Sequence, residues 1–388
     1  MALKIPSPLT PAPPAEQVPE SGRPTVAART YLTPEGWAHL ESLLIPLGAI
    51  VISLLVFGIF CACLGANPLA VYGSIYRAAF GSWYAFQNTL LRAAPLMLCS
   101  LCTAIPFRLG LIVIGNEGAL VVGGLCATLL GLQLPTAAPL AAQVAMAAAG
   151  MAAGGLWIAA VGALRQFRGV NETISSLLLN YVAIALLNQA INTWIRDPES
   201  INKASSFALT DEQMLPTLGG TNLHPGILFG LVACVLMWFL VQKTTFGFQI
   251  RAVGGNVRAA RLAGLPVARI TLVTCFLAGI WPGLAGMVEV AAVHGRANES
   301  LNAWYGNSGI LVAFLARHNP LGCVLISILL GGLIESGGIL QRSHHLPDAT
   351  VLVFQGFVFL AILFSESLHG QGQWFGKFGW GRRGRRNG

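Results

Sequence analysis

Residues 115–122 read GNEGALVV and residues 306–313 read GNSGILVA. Each stretch lies in a strongly apolar region, and each carries glycines on both sides of a polar pair. Such glycines let a membrane helix open. Backbone groups freed at membrane depth are tolerated only against protein or a water-filled path. Glu117 is ionisable within an apolar run, so it is expected to face the interior of a helix bundle. Two roles stand open for it: lining a translocation path, or locking two helices through hydrogen bonds. Asn116, Asn180, Asn307 and Ser308 are the other path candidates.

Around these breaks the chain is 55% hydrophobic and 10% charged over 388 residues, with a mean hydropathy of +0.67. Soluble domains carry about 25% charged residues. Several runs approach 20 apolar residues, the length that crosses a bilayer as a helix. The expected fold is therefore an all-α polytopic membrane protein of about ten transmembrane helices. The spans are placed near 44–64, 89–107, 110–131, 138–164, 172–193, 225–242, 270–292, 306–316, 320–339 and 350–365, with the third broken at 115–118. The segment 65–88 reads as an outside connection and 194–224 as a longer polar one.

The net charge of +8 is scattered over loops and ends without aromatic interleaving, which argues for a topology signal and against a nucleic-acid partner. With the N-terminus inside, 17 of the 23 Lys and Arg fall on the inner side. The six outside are Arg77, Arg92, Arg196, Lys203, Arg296 and Arg342. Both termini are then expected to be cytoplasmic. The proline-rich residues 1–43 read as a disordered tail, 44–366 as the transmembrane domain and 367–388 as a basic tail.

The two halves share a pattern. The GNEG and GNSG stretches are followed by Pro139-Leu140 and Pro320-Leu321, then by Gly154-Gly155-Leu156 and Gly331-Gly332-Leu333. The closing runs at 171–187 and 348–364 correspond in turn. Spans 2–5 thus pair with spans 7–10, and they enter the membrane from opposite sides. Two inverted repeats with broken helices are expected, an arrangement found in transporters.

Between the sixth and seventh spans, residues 243–269 read KTTFGFQIRAVGGNVRAARLAGLPVAR, with five cations and no acid. Asn256 is placed to N-cap a helix over 257–263, Gly264 fits a left-handed stop, and Pro266 blocks continuation. Two helical turns are not stable alone in water. The loop reads either as a topology signal or as a handle for a soluble partner.

No phosphate-binding GxxxxGK[ST] loop is present, and the seven histidines lack metal-site spacing. The eight cysteines sit in or beside apolar runs, which suits packing. No catalytic constellation can be assembled, so the chain reads as non-catalytic with no cofactor of its own. A secondary transporter driven by an ion gradient is the alternative reading, since inverted repeats suit it too.

Three blocks resemble the permease subunits of ABC importers of the ribose and branched-chain amino acid type, nucleoside and simple-sugar branch. They are FRLGLIVIGNEGALVVGG (107–124), GVNETISSLLLNYVA (169–183) and TTFGFQIRAVGGNVRAARLAGL (244–265), and the likeness runs over about 44–365. Val113 and Ala119 depart from it, standing where that branch commonly has Asn and Gln. The resemblance implies that Arg251, Gly254, Asn256, Ala259, Ala260, Gly264 and Leu265 form a coupling helix seated in a cytoplasmic ABC ATPase. It also implies ATP bound in that partner chain, a second permease that is identical or related, an extracytoplasmic substrate-binding protein, surrounding membrane lipid, and a bacterial inner-membrane location.

Overall fold

The computed structural model describes residues 48, 51–134, 138–200, 203–347 and 349–368; the tail expected at 1–43 lies outside them, as does the tail expected at 367–388 apart from 367–368, which end the last helix. Among the described residues the chain is helical, with two isolated bridges and no strand.

Helix α1 (Val51–Cys63) bends by 115° into α2 (Pro68–Phe80). Asn67 caps α2, its side chain accepting from the Leu69 N–H at 3.0 Å, and Pro68 fills the first helical position. The segment 65–88 therefore holds a helix where the sequence suggested a plain connection. Helix α3 (Trp83–Phe107) starts at Trp83 and not near residue 89, because Ser82 caps it through the Ala85 N–H at 3.1 Å. A hydropathy window misses both starts, which are set by caps and not by apolar composition.

The remaining elements are α4 (Asn116–Gly131), α5 (Pro139–Arg168), α6 (Glu172–Gln189), α7 (Gly226–Lys243), α8 (Thr245–Gly255), α9 (Val257–Leu262), α10 (Val267–Val288), α11 (Tyr305–Leu315), α12 (Pro320–His344) and α13 (Ala349–Leu368). Single π-helical segments, Ala190–Trp194 and Glu289–His294, extend α6 and α10. Among the described residues six helices are long and apolar enough to cross a membrane: α3, α5, α6 with its extension, α7, α10 with its extension, and α12. The bent α1–α2 pair makes a seventh. Helices α4 and α11 and the apolar part of α13 are shorter. The chain is thus a mostly helical polytopic membrane protein.

Helix α10 is the axis of the core, packed against α3, α4 and α5. Lipid tails are as apolar as leucine, so membrane helices gain by close van der Waals approach through small residues. That is what Gly150, Gly154, Gly279 and Gly283 provide. A β-carbon on Gly154 would lie 2.6 Å from the Gly279 carbonyl oxygen, and one on Gly150 would lie 2.8 Å from that of Gly283. Helix α12 meets α3 similarly: a β-carbon on Gly331 would lie 2.7 Å from the Thr89 carbonyl oxygen. Helix α4 meets α10 where Gly123 faces Gly283, and α11 meets α3 where Gly309 faces Cys99.

The described part of the polar segment 194–224 folds back over one end of the bundle. It pairs with 291–297 through the Ser206 N–H to the Ala297 carbonyl, the Leu209 N–H to that of Gly295, and an Asp197–Arg296 ion pair at 3.7 Å.

Candidate functional site

The third expected span is not a helix interrupted at 115–118. Helix α3 ends at Phe107, Gly110 turns the chain at φ +75°, residues 111–114 run without helix, and α4 begins at Asn116. That non-helical stretch would expose peptide groups at membrane depth. One face of α6 satisfies them. Thr173 donates its hydroxyl to the Ile112 carbonyl at 2.9 Å, Ser176 Oγ accepts from the Ile114 N–H at 3.1 Å, and Asn180 donates to the Ile114 carbonyl at 2.9 Å. From the other side, Thr103 of α3 donates to the Val113 carbonyl at 3.0 Å. Positions 173, 176 and 180 share one helical face. Thr173, Ser176 and Asn180 of NETISSLLLN are therefore a row of partners for an irregular backbone. Asn171 starts that row by capping α6 through the Thr173 and Ile174 N–H groups.

Glu117 is 1% exposed. Its carboxylate accepts from the Gly306 N–H at 2.6 Å and the Trp304 N–H at 2.9 Å. It thereby satisfies free donors at the start of α11 and ties the two broken helices tip to tip. Gly306 permits the contact, since a β-carbon there would overlap the Glu117 backbone. Asn116 is fully buried and donates to the Cys99 carbonyl at 3.1 Å and the Thr103 hydroxyl at 3.0 Å. Asn180 Oδ1 accepts from the Gly118 N–H at 2.8 Å. Asn116, Glu117 and Asn180 are thus engaged at the junction of the two broken helices.

Asn307 and Ser308 differ. They line a cavity of about 410 Å³ between α11 and α13, bordered also by Ile114, Trp304 and Phe359. Ser308 donates to Gln355 Oε1 of α13 at 3.1 Å. A smaller, polar cavity of about 220 Å³ is bordered by Asn88, Arg92, Glu289, Tyr305 and Glu335. Arg92 donates there to Tyr305 at 2.7 Å and to Glu335 at 3.3 Å.

At the other end of α3 lies the 243–269 loop. It contains two helices, not the single short one expected. Thr244 caps α8 by accepting from the Gly247 N–H at 3.2 Å. Asn256 ends α8 and caps α9, accepting from the Arg258 and Ala259 N–H groups at 3.0 Å each. Gly264 stands at φ +81°, and the Leu265 N–H returns to the Ala260 carbonyl at 3.0 Å, closing α9. Ile250, Val253 and Ala260 are buried in a cluster with Leu109, Leu111 and Val267, which seats the loop on the bundle. Gly254 permits that seat, since a β-carbon would overlap the Arg108 carbonyl. Arg251, though exposed, donates to the Val241 carbonyl at the end of α7. Arg108 in turn donates to the His318 carbonyl at 3.1 Å, linking this end of α3 to the turn after α11. The His318 ring stacks on Phe107 at 3.5 Å between centroids, and burial, with the charge of Arg108 beside it, lowers its imidazole to about 4.

The seven residues named for the loop therefore divide. Ala260 is buried and Leu265 half-buried, Arg251 and Gly254 hold α8 in place, Asn256 and Gly264 bound α9, and Ala259 faces outward. The outward face also carries Val257, Arg258, Arg261 and Leu262, the last 86% exposed. Leu262 escapes a reading of the sequence because an isolated leucine in a basic loop gives no signal of which way it points. Gln355 escapes it because amides within apolar runs usually pair with another helix.

Among the described residues no group of three or more His, Cys, Asp or Glu is placed to hold a metal ion.

The family described as "Branched-chain amino acid transport system / permease component" matches residues 85–363. The chain is 33% identical over 333 residues to the guanosine ABC transporter permease protein NupP of Bacillus subtilis (strain 168), covering 85% of this chain and 95% of that one. It is 29% identical to the glucose ABC transporter permease protein TsgB13 of Haloferax volcanii, covering 83% and 87%. A second Bacillus subtilis relative, the guanosine ABC transporter permease protein NupQ, is 26% identical, covering 70% and 90%.

Proposed function

Because the chain belongs to the branched-chain amino acid transport system / permease component family of ABC transporters, we propose that it is the importer subunit for a nucleoside or simple sugar, driven through α8–α9 by a separate cytoplasmic ATPase. The observation that carries this is the form of α9. It is capped at both ends and seated on the bundle by Ala260, yet it presents Leu262 and two arginines to the outside. A solvated topology loop needs none of these. A helix that must be pushed as a rigid body needs all of them, and its cations suit steering toward a soluble partner.

The finer architecture in this reading is ten spans in two inverted repeats, α3–α6 and α10–α13. Reciprocal packing supports it. In each half the long helix with the paired glycines, α5 or α12, lies against the first helix of the other half, α10 or α3. The broken helices do the same, α4 on α10 and α11 on α3. An amide from the last helix of each half also reaches the first turn of its broken helix: Asn180 to Gly118, and Gln355 to Ser308. Such repeats would rock against each other about the Glu117 junction when ATP closes the ATPases.

Further partners in this reading are an extracytoplasmic binding protein and a second permease. The likeness to two different permeases of one Bacillus agrees with a related, non-identical second copy. The site would be the bacterial plasma membrane, with both termini cytoplasmic and no catalytic step or cofactor in this chain. The inner end then gathers Arg108, Arg165, Arg168 and the 243–269 loop, as the charge distribution requires.

The test is uptake of guanosine and of glucose into liposomes carrying the complete complex with its binding protein. Uptake should require internal-face ATP and persist when ionophores collapse ion gradients. Uptake that follows an ion gradient without ATP would refute the proposal.

A further inference from the structure

The 243–269 loop rests on a stretch that reaches both broken helices. Residues 108–113 lead into α4, and Arg108 at their start touches the end of α11. On the loop side the contact is backbone against backbone. A β-carbon on Gly254 would overlap the Arg108 carbonyl and lie 3.1 Å from the Leu109 α-carbon. Leu109, Leu111 and Val113 share one buried cluster with Ile250 and Val253 of α8 and Ala260 of α9. Close-packed groups have little room to absorb a displacement and so pass it on.

On the α11 side the contact is a side chain. Arg108 Nη2 donates to the His318 carbonyl at 3.1 Å. That carbonyl belongs to the stop of α11, since the His318 N–H returns to the Ala313 carbonyl at 2.8 Å and both Arg317 and His318 stand at positive φ, +51° and +54°. The guanidinium therefore sits at the negative end of the α11 dipole. Its Nε is buried with no hydrogen-bond partner. A cation serving topology alone would turn that group to water, because leaving it buried is costly. Helix α11 has 11 residues, so it is about 16 Å long at 1.5 Å per residue. Its far end meets Glu117 through Gly306, and there Asn307 and Ser308 line the larger cavity.

We propose that Arg108 is the positioning residue that couples α8 to α11. Its backbone seats α8 and its guanidinium holds the end of α11, so that a displacement of α8–α9 reaches the Glu117 junction and the Asn307–Ser308 wall of the cavity. This rests on the chain being an importer permease driven through α8–α9.

The test is made on the complete complex, with its ATPase and binding protein, in liposomes. The probe is guanosine or D-glucose, whichever the wild-type complex accumulates, and the quantity measured is probe moved per ATP hydrolysed. That ratio is insensitive to how much complex assembles, so a purely structural role does not move it. Arg108→Met should retain the ATPase and its hydrolysis while the ratio falls about tenfold, the size of a typical coupling between sites. Arg108→Gln should lower the ratio in the same direction, and Arg108→Lys, which keeps a charged donor, should recover part of it. Arg168→Met, which removes an exposed cation from the same end of the bundle, should leave the ratio at the wild-type value. A wild-type ratio in assembled Arg108→Met or Arg108→Gln overturns the proposal, as does an equal fall in Arg168→Met, which would trace the effect to charge alone. Failure of both Arg108→Met and Arg108→Gln to assemble would make Arg108 a folding residue and overturn it too. No ATP-dependent uptake of either probe by the wild-type complex overturns the importer reading itself.

Discussion

Residues 108–118 and residues 244–265 both interrupt long helices, and both use a glycine turn and a buried or capping asparagine. They resolve their polar groups in opposite directions. At 108–118 every device ends on this chain: Thr173, Ser176 and Asn180 hold the non-helical backbone, and Glu117 holds the tip of α11. At 244–265 the caps are satisfied locally, but α9 buries little beyond Ala260 and turns Leu262 and its arginines away from the bundle. The difference lies in what remains after the backbone is satisfied. A junction whose polar groups are turned onto the chain itself fixes shape, whereas a rigid element with an unburied leucine and cations offers a surface to another molecule.

The sharpest way to break the first half of this contrast is Glu117→Leu. It orphans the buried Gly306 N–H, at about 1–3 kcal/mol, and removes the partner of the part-buried Trp304 N–H. Thermal unfolding of the purified protein in detergent should show a large fall in Tm, greater than that of any glycine-to-alanine change in the bundle. An unchanged Tm would mean that the carboxylate is not the lock. Next in size is Gly283→Ala, which drives a methyl group into the α5 backbone at Gly150. Overpacking of this kind costs about 1–3 kcal/mol, again read as Tm. Gly264→Ala is smaller and of another kind. Nothing lies within 4 Å of the added carbon, so the cost comes from φ +81° alone, about 1–2 kcal/mol. It should appear as faster amide exchange over 257–263 with Tm little changed, because α9 is not part of the membrane core. A large Tm loss would place α9 in the core instead.

Much of this contrast was legible in the sequence. Apolar runs, the GNEG and GNSG breaks, the paired glycines and the Asn256–Gly264 punctuation are local signals, and local physics reads them. Direction was not legible. Whether Glu117 lines a path or locks helices depends on Gly306, 189 residues away in the chain. The polar row on α6 could be recognised only beside the non-helical stretch it serves, since a period of three to four polar residues in a membrane helix suits a pathway equally well. Helix α8 was hidden because its apolar positions are few and its start rests on a single threonine cap. Leu262 and Gln355 were hidden because exposure and an unpaired amide nitrogen are properties of packing, not of residue type.

The comparison stands or falls on Leu262. The side chain is 86% exposed, so Leu262→Asp should leave stability within about 0.5 kcal/mol of wild type and the protein fully inserted. Co-purification of the variant with its cytoplasmic ATPase measures the claim directly. A stable, membrane-inserted permease that no longer retains the ATPase is the predicted result. A variant that keeps the ATPase at the wild-type ratio would contradict the role given to α9.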